Sequence, residues 1–322
     1  MTGESPAGES LAAQMRTAAS ALLGSLDDER QRAAAALPFG GDDARRWLEY
    51  RPRPRPGACL AGLSVQSRKA AHRLLATGLS EHAYASAMVI EGLEEVLDRR
   101  EGWRRGRHSG DYYVAVFGEP GGAGPWSWRF EGHHLSVTMT VSGAEVSPAP
   151  VFLGANPAQV SYAGRPVSRP LGAEEDLVRE LMDALGPDGR AAAVVAGEAP
   201  GDIRTAQRPD AGPRIEPAGV AAGALGPAAR ALLDQLVAVY TGRLPAGLAA
   251  READRVRAGE LHFAWEGPLT PGDRHYYRIQ GADLLIEYDT TDDGNHAHTV
   301  LRRPRGDFGA DVLAAHLNEA HR

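Results

Sequence analysis

Apolar residues recur near helical spacing from Ser10 to Leu37, and this pattern predicts one alanine-rich amphipathic helix. Two further helices, at about 65–76 and 81–98, follow Ser64 and Ser80, whose hydroxyls suit the N-cap position. The same periodicity predicts later helices at about 173–185, 227–240 and 245–258, and a closing helix at about 309–320.

From Asp111 the pattern changes to aromatic and β-branched residues. The stretch "DYYVAVFG", the turn "EPGGAGP" and the run "WSWRFEGHHLSVTMTV" predict a strand, a turn and one long strand in an antiparallel hairpin. Strands return near the C-terminus in "ELHFAWEG", "HYYRIQG", "DLLIEYD" and "HAHTVLRR". Helices followed by antiparallel strands thus occur twice, which predicts an α+β fold of helical segments packed on antiparallel sheet, in a pseudo-duplicated arrangement.

The expected organisation is an N-terminal helical segment, 1–45, followed by a single α+β domain, 46–322. The stretch "RPRPRPG", Arg51 to Gly57, is predicted to be an extended connector because each proline restricts φ. A segment rich in Gly, Pro, Ala and charge, about 187–217, is predicted to be a flexible insertion.

Composition narrows the class of protein. The chain has 322 residues, 43% hydrophobic and 24% charged, a balance typical of soluble globular proteins. Its net charge of −7 disfavours nucleic acid and anionic membranes as partners. No secretory leader or membrane-length apolar run is evident, so the expected location is cytoplasmic. The single cysteine, Cys59, excludes an internal disulfide and a thiolate cluster, so a metal would need nitrogen and oxygen ligands.

Strong catalytic motifs are missing from the sequence. It has no G-x-x-x-x-G-K-[ST] phosphate loop, no G-x-G-x-x-G fingerprint, no G-x-S-x-G elbow and no H-E-x-x-H. No nucleotide cofactor is therefore expected, and histidine is the residue type that remains for chemistry.

One histidine pair lies in "NHAHTV". His296 and His298 are two positions apart, so on a strand their side chains leave the same face about 7 Å apart. Both imidazoles can then converge on one ion at about 2.0 to 2.1 Å. The alternative is a pair of surface histidines beside the turn "TTDDGN".

The second pair, in "FEGHHL", is less simple. Strand alternation places Glu131 and His133 on one face and His134 on the other. A bulge at Gly132 would bring both imidazoles to one side, and which histidine is the ligand stays open. The alternative is a hydrogen-bonded structural histidine beside an exposed one.

Carboxylates accompany both pairs. Glu131 and Glu287 are candidate general bases, and Glu287 is also a candidate metal ligand or partner of an imidazole. Arg302 is a third catalytic candidate, with the alternative that Arg302, Asp307 and Asp311 form an ion-pair cluster that holds the final helix.

Three sequence elements carry a family resemblance: "WSWRFEGHHLS", "FLGANP", and "HAH" followed by "RRPRGDFGAD". With these elements the chain resembles the DUF3500 family of uncharacterised proteins over most of its length. The resemblance implies that His133, His134, His296 and His298 belong to the motif segments of the family.

These observations favour a metal-dependent enzyme with His133, His134, His296 and His298 as candidate ligands. Copper or non-haem iron is preferred to zinc, with oxidative chemistry on a small molecule or peptide. The alternatives are a zinc-dependent hydrolase, a protein that binds a metal or small ligand without turnover, and an α+β domain whose histidines are structural. The oligomeric state stays open.

Overall fold

The computed structural model describes residues 10–40, 42–104, 106 and 108–314. The helices in this part of the chain are α1 (Leu11–Ser25), α2 (Glu29–Ala35), α3 (Asp42–Arg45), α4 (Val65–Gly78), α5 (Glu81–Arg100), α6 (Gly172–Ala184), α7 (Gly186–Ala193), α8 (Pro227–Thr241) and α9 (Ala246–Arg257), and residues 310–314 are also helical. Short 3-10 turns lie at Leu60–Gly62, Ala222–Ala224 and Asp307–Gly309.

The strands are β1 (Ala36–Leu37), β2 (Ala58–Cys59), β3 (Tyr113–Phe117), β4 (Trp126–Gly132), β5 (Leu135–Ser142), β6 (Glu145–Ser147), β7 (Val151–Ala155), β8 (Val160–Tyr162), β9 (Arg165–Ser168), β10 (Val194–Ala196), β11 (Val220–Ala221), β12 (His262–Glu266), β13 (Tyr276–Gln280), β14 (Leu285–Thr291) and β15 (His296–Arg302). Thirteen of them form one mostly antiparallel sheet, in the order β1-β3-β4-β5-β7-β15-β14-β13-β12-β10 with β2, β6 and β11 alongside. The predicted α+β class is confirmed.

Local signals account for α4 and α5. The Ser64 hydroxyl accepts a hydrogen bond from the Ser67 amide at 3.2 Å, and the Ser80 hydroxyl accepts one from the Ala83 amide at 3.4 Å. Each bond satisfies an amide that has no partner within the helix. Both predicted helix starts are confirmed, and the helices extend two residues further than predicted.

The single helix predicted from Ser10 to Leu37 is wrong. The structure has α1 and α2 with a break between them, and the chain then enters the sheet as β1. Asp28 causes the new start, because its carboxylate accepts a hydrogen bond from the Gln31 amide at 2.7 Å and caps α2. Helical periodicity continues across the break and therefore does not reveal it.

The long strand predicted over "WSWRFEGHHLSVTMTV" is also wrong. Gly132 pairs with Leu135, so β4 and β5 are two antiparallel strands joined by the two-residue turn His133–His134. The strand alternation predicted for the two histidines does not apply, because neither of them lies in a strand. Both lie at the end of a hairpin.

The two halves of the sheet repeat the same order of elements. In each half a short strand pairs in parallel with the first long strand, β1 with β3 and β10 with β12. A second short strand, β2 or β11, then pairs antiparallel with that long strand and leads through a 3-10 turn into two helices. Gly57 and Gly219 occupy equivalent positions with φ of +132° and +82°, where a Cβ would collide with the carbonyls of Val114 and Phe263. The halves meet where β7 pairs with β15.

The two faces of the sheet differ in character. Val137 and Met139 point towards the apolar core under the helices, whereas Ser136 and Thr138 point to the opposite face. That opposite face, here called the polar face, carries buried charged residues: Arg129, Glu131, Arg278, Glu287, Asp289, His298 and Arg302. Two chain segments cover it, 42–57 from the first half and 197–219 from the second.

The segment 187–217, predicted to be a flexible insertion, contains most of α7 and all of β10 and packs on the polar face. Ile203 and Thr205 are only 1% and 0% exposed. The amide of Arg204 donates a hydrogen bond to Glu287 at 2.6 Å. This segment therefore covers part of the polar face.

The first and the last described segments belong to the main fold. In the N-terminal segment predicted at 1–45, α1 packs against α4 and β1 joins the sheet, while residues 1–9 lie outside the described part. The predicted closing helix is present at residues 310–314, and its remainder, 315–320, lies outside the described residues. Within the described ranges, no helix is long and apolar enough to cross a membrane.

Candidate metal centre

His134 occupies a strained position in the β4–β5 turn. Its φ is +61°, which residues other than glycine seldom adopt. The backbone is held on both sides: the His134 amide donates to the Tyr50 carbonyl at 3.0 Å, and the His134 carbonyl accepts from the Gly154 amide at 2.7 Å. These bonds fix the direction in which the imidazole leaves the turn.

His296 and His298 lie at the start of β15 and share the polar face, as the i, i+2 spacing predicts. In the sheet register His298 is paired with Gly154 of β7 on one side and with Asp289 of β14 on the other. A Cβ on Gly154 would lie 2.9 Å from Cδ2 of His134. The missing side chain therefore makes room for the His134 ring beside β15.

The three imidazoles converge. His134, His296 and His298 each offer a ligand nitrogen, and these nitrogens lie within 4.8 Å of one another. Nε2 of His134 lies 2.8 Å from Nε2 of His296, and the ring centroids of His296 and His298 are 4.6 Å apart. At this separation the two nitrogens either share a proton or bind one cation.

Carboxylates lie beside the Nδ1 atoms of His296 and His298, on the side of each ring opposite Nε2. Nδ1 of His296 lies 2.7 Å from Oδ2 of Asp292. Nδ1 of His298 lies 3.1 Å from Asp289 and 3.3 Å from Asp202. In His296 this contact leaves Nε2 for the cluster, which is the arrangement that orients histidine ligands in metal sites. Nδ1 of His298 lies near its two carboxylates without a hydrogen bond among the described residues.

The pKa values of the two β15 histidines are shifted in opposite directions. Burial lowers the pKa of His298, but the adjacent carboxylates of Asp289 and Asp202 outweigh it and raise this pKa to about 10. Burial and the charge on His298 lower the pKa of His296 to about 4, which Asp292 offsets only in part. His296 is therefore a neutral imidazole near neutral pH.

His133 belongs to a neighbouring group. Its Nδ1 lies 2.5 Å from Oε1 of Glu94 on α5, and its ring stacks on that of His134 with centroids 3.6 Å apart. Glu94, His133 and His134 also offer ligand atoms within 4.8 Å of one another. His133 lines a pocket of about 450 Å³, here called the His133 pocket, together with Pro52, Arg53, Pro54, Glu94, Gly106, Asp111 and Tyr113.

Glu131, the first predicted catalytic residue, lies on the polar face within an ion-pair network. Its Oε1 is 3.0 Å from Nε of Arg129, and its Oε2 accepts a hydrogen bond from the Ser136 hydroxyl at 3.0 Å. Burial raises the pKa of Glu131, and the charges of Arg129 and Arg55 oppose that rise. Glu131 joins none of the three groups of potential ligands found in the described residues.

Glu287 and Arg302 are likewise engaged elsewhere on the polar face. Glu287 accepts hydrogen bonds from the Tyr276 hydroxyl at 3.0 Å and from the Thr205 hydroxyl, and burial raises its pKa against these donors. Nε of Arg302 donates to Asp307 at 2.7 Å, whereas Asp311 pairs with Arg303 at 2.8 Å. The catalytic roles of Glu131, Glu287 and Arg302 stay predictions.

Sequence reasoning missed four carboxylates beside the histidines. Asp289 is two residues after Glu287 on β14, and the register of a hairpin closed by "TTDDGN" places it opposite His298, so a signal for it existed. Asp292 lies in the same turn. Asp202, in a Gly/Pro-rich stretch, and Glu94, in an acidic helix, have no local signal of this kind.

The arrangement offers the donor atoms that a cation requires. Three imidazole nitrogens with carboxylates nearby could hold copper, non-haem iron or zinc. Phe152 and Tyr50 stack with centroids 4.1 Å apart, and each ring lies within 5.7 Å of the His298 ring. This apolar wall excludes water from one side and strengthens electrostatic interactions at the cluster.

Fold and cluster together define an α+β protein of two similar half-sheets, with a group of histidines where the halves meet. The family model described as "Protein of unknown function (DUF3500)" matches residues 8–310, nearly the whole chain. The protein therefore belongs to the DUF3500 family, and the resemblance noted in its sequence is confirmed. Searches of curated proteins and of solved structures each returned no match.

Proposed function

We propose that this protein is a metal-dependent enzyme in which His134, His296 and His298 hold one copper or non-haem iron ion. The observation that carries the proposal is the convergence of these three imidazoles from two distant parts of the chain. The carboxylate of Asp292 at Nδ1 of His296 supports it, because metal-bound histidines usually have such a partner.

The donor atoms are the ground for naming copper or iron first. Nε2 of His134 and Nε2 of His296 are 2.8 Å apart, close enough for both nitrogens to turn towards one ion. Imidazole nitrogen suits copper, non-haem iron and zinc, and the choice among these metals depends on coordination geometry and metal availability rather than on affinity. Copper or iron is proposed because either ion supplies the redox chemistry of an oxidative reaction, and metal reconstitution decides between them and zinc.

The adjacent pocket supports the proposed substrate class. The His133 pocket, at about 450 Å³, is of a size that holds a small molecule or the end of a peptide. His133 lines this pocket and stacks on the His134 ring, and Arg53 and Tyr113 add polar groups to the wall of the pocket. The proposed reaction is oxidation of a small molecule or peptide bound there, and a cytoplasmic location stays a prediction from the sequence.

The test is metal reconstitution of metal-free protein with Cu(II), Fe(II) anaerobically, or Zn(II), each followed by removal of unbound ion and elemental analysis. His134→Ala and His296→Ala are compared with His82→Ala, which removes an exposed histidine of α5. We expect tight copper or iron binding that both cluster variants lose and the control keeps, with an optical or electron paramagnetic resonance signal that changes on reduction.

Other outcomes would redirect the assignment. Selective zinc binding without copper or iron binding would replace the oxidative reaction by hydrolysis at a metal-bound water. Metal bound with no coordination position accessible to azide would indicate a binding protein without turnover. Equal metal content in His82→Ala and in both cluster variants would refute the three-histidine site.

A further inference from the structure

Asp202, Asp289 and His298 form a second group of potential ligands on the far side of the His298 ring. Their ligand atoms lie within 4.8 Å of one another, with Nδ1 of His298 3.1 Å from Oδ1 of Asp289 and 3.3 Å from Oδ1 of Asp202. Ligands at about 2.0 to 2.2 Å from one ion have separations of this size. The group is thus compact enough to surround a cation.

Asp289 provides an independent observation. Its side chain is 0% exposed, and within the described part of the chain neither carboxylate oxygen has a hydrogen-bond partner. Its pairing with His298 lacks hydrogen-bond geometry, and Nδ1 of His298 is also without a hydrogen bond there. Buried carboxylates are ordinarily hydrogen-bonded, paired or bound to a metal, because leaving water is costly.

Charge balance points the same way. Among the described residues, His298 is the basic group paired with Asp202 and Asp289. If Nε2 of His298 binds the first ion, the ring is not an imidazolium and cannot neutralise the two carboxylates. Arginine side chains on the polar face are engaged with other acids, as Arg278 is with Glu266 and Arg302 with Asp307.

Two hydrogen bonds fix the position of the Asp202 carboxylate. The Tyr50 hydroxyl donates to Oδ2 of Asp202 at 2.7 Å, and the Ile203 amide donates to its Oδ1 at 2.8 Å. Tyr50 comes from the segment covering the first half-sheet, whereas Asp202 comes from the segment covering the second. The two covering segments therefore meet at this carboxylate and aim it at His298.

We infer that Asp202, Asp289 and Nδ1 of His298 bind a second divalent cation, so that the His298 imidazole bridges two ions. The inference rests on the proposed function for the first ion, which is bound at Nε2. One nitrogen and two carboxylates suit zinc or manganese(II), which accept mixed nitrogen and oxygen ligands. When the second ion binds, the N–H bond at Nδ1 breaks, its proton passes to solvent, and a nitrogen–metal bond takes its place.

The experiment measures metal stoichiometry of the full chain with Cu(II) alone, with Zn(II) alone, and with one equivalent of Cu(II) followed by Zn(II). The variants are Asp289→Asn, Asp202→Asn, His134→Ala and His298→Ala, and Asp234→Asn, an exposed aspartate of α8, is the matched control. Circular dichroism verifies that each variant is folded. If His298→Ala does not fold, the isosteric variants Asp289→Asn and Asp202→Asn still test the second site.

We expect two ions per chain in the natural protein and in Asp234→Asn, one in Asp289→Asn, Asp202→Asn and His134→Ala, and loss of both from His298→Ala. With two Cu(II) ions, coupling through the imidazole should reduce the electron paramagnetic resonance intensity below that of two isolated ions. Asp289→Asn binds one Cu(II) ion and should give the full electron paramagnetic resonance intensity of a single isolated ion.

The remaining outcomes separate the two proposals. One ion per chain, lost in His134→Ala but kept in Asp289→Asn, overturns the second site and leaves the proposed function standing. One ion lost in Asp289→Asn but kept in His134→Ala overturns the three-histidine site and supports the carboxylate site. Two ions that survive Asp289→Asn place the second ion elsewhere, and no ion in any sample overturns both.

Discussion

Gly154 and His134 lie so close together that a Cβ on Gly154 would be 2.9 Å from Cδ2 of His134 and 3.1 Å from the carbonyl oxygen of Ala297. The Gly154 amide also donates a hydrogen bond to the His134 carbonyl at 2.7 Å. One glycine in β7 thus decides whether the β4–β5 turn can place its imidazole beside β15.

Substituting Gly154→Ala should therefore affect stability and metal binding together. We expect a loss of about 1–3 kcal/mol in the free energy of unfolding, the range for overpacking a buried site. Displacement of the His134 ring should also weaken metal binding at least about tenfold, the lower end of the effect of disturbing a ligand's support. Denaturant titration and metal competition measure the two effects.

Gly24→Ala is the matched control for that experiment. A Cβ on Gly24, within α1, would have no atom within 4 Å, so alanine should keep or raise stability by up to about 1 kcal/mol. An unchanged metal affinity in Gly154→Ala would show that the space beside β7 does not position His134.

The carboxylate behind His296 should tune the metal site without contributing much to folding. Asp292 has a side chain 69% exposed and lies 2.7 Å from Nδ1 of His296. Asp292→Asn should weaken metal binding roughly 10- to 100-fold, as loss of such a partner typically does. Asparagine tolerates the φ of +53° at this position, so the backbone should be retained.

Asp293→Asn in the same turn is the control, because Asp293 contacts the Asn295 amide rather than a histidine. Isothermal titration with Cu(II) at fixed pH compares the two variants. Equal losses of affinity in both would indicate a general effect of the turn and not a role for Asp292.

A different ion pair should make stability depend on pH. Burial raises the pKa of Glu175, but the contact with His275 and the charges of His275 and Arg179 outweigh it and lower this pKa to about 2. Because the folded value lies below the unfolded value of about 4.5, Glu175 stabilises the folded state above pH about 4.5. That contribution, on the order of 3 kcal/mol, is lost as pH falls from about 4.5 to about 2.

Denaturant titrations between about pH 5 and about pH 2 test this dependence, because this interval spans the unfolded and folded pKa values of Glu175. We expect a shallower loss of stability in Glu175→Gln than in the natural protein, and a natural slope in Glu180→Gln, an exposed position on the same helix. Identical slopes in all three proteins would rule out the Glu175 contribution.

Arg302 offers a way to separate structure from catalysis. Arg302 and Asp307 are 0% and 6% exposed and 2.7 Å apart, so Arg302→Met leaves a buried carboxylate without its partner. We expect a loss of about 3–5 kcal/mol in the free energy of unfolding, with metal stoichiometry unchanged in the folded protein. The exposed pair Arg230 and Asp234 provides the control, since Arg230→Met should cost less than about 1 kcal/mol.

Thermal melting followed by elemental analysis measures both properties of these arginine variants. Loss of metal from folded Arg302→Met would connect Arg302 to the site, against the structural role that its contacts indicate.

The sequence predicted those features that depend on neighbours along the chain. The starts of α4 and α5 follow from Ser64 and Ser80, whose hydroxyls bond to amides three residues ahead. His296 and His298 share a face because alternate residues of any strand do so. The break before Asp28 and the turn at His133–His134 were missed, since apolar periodicity runs on through both.

The candidate site depends on pairing between distant strands, and this is what the sequence by itself did not determine. The order of helical and strand patterns along the sequence determined the α+β class, the two blocks of helices and strands, and the presence of two histidine pairs in strand-rich segments. Only the tertiary structure decided that His134, rather than His133, meets His296, because β5, β7 and β15 must first align. Asp202 reaches His298 only when the covering segment folds over the polar face. Non-local contacts of this kind are set by packing of the whole sheet, and no local pattern of residues encodes them.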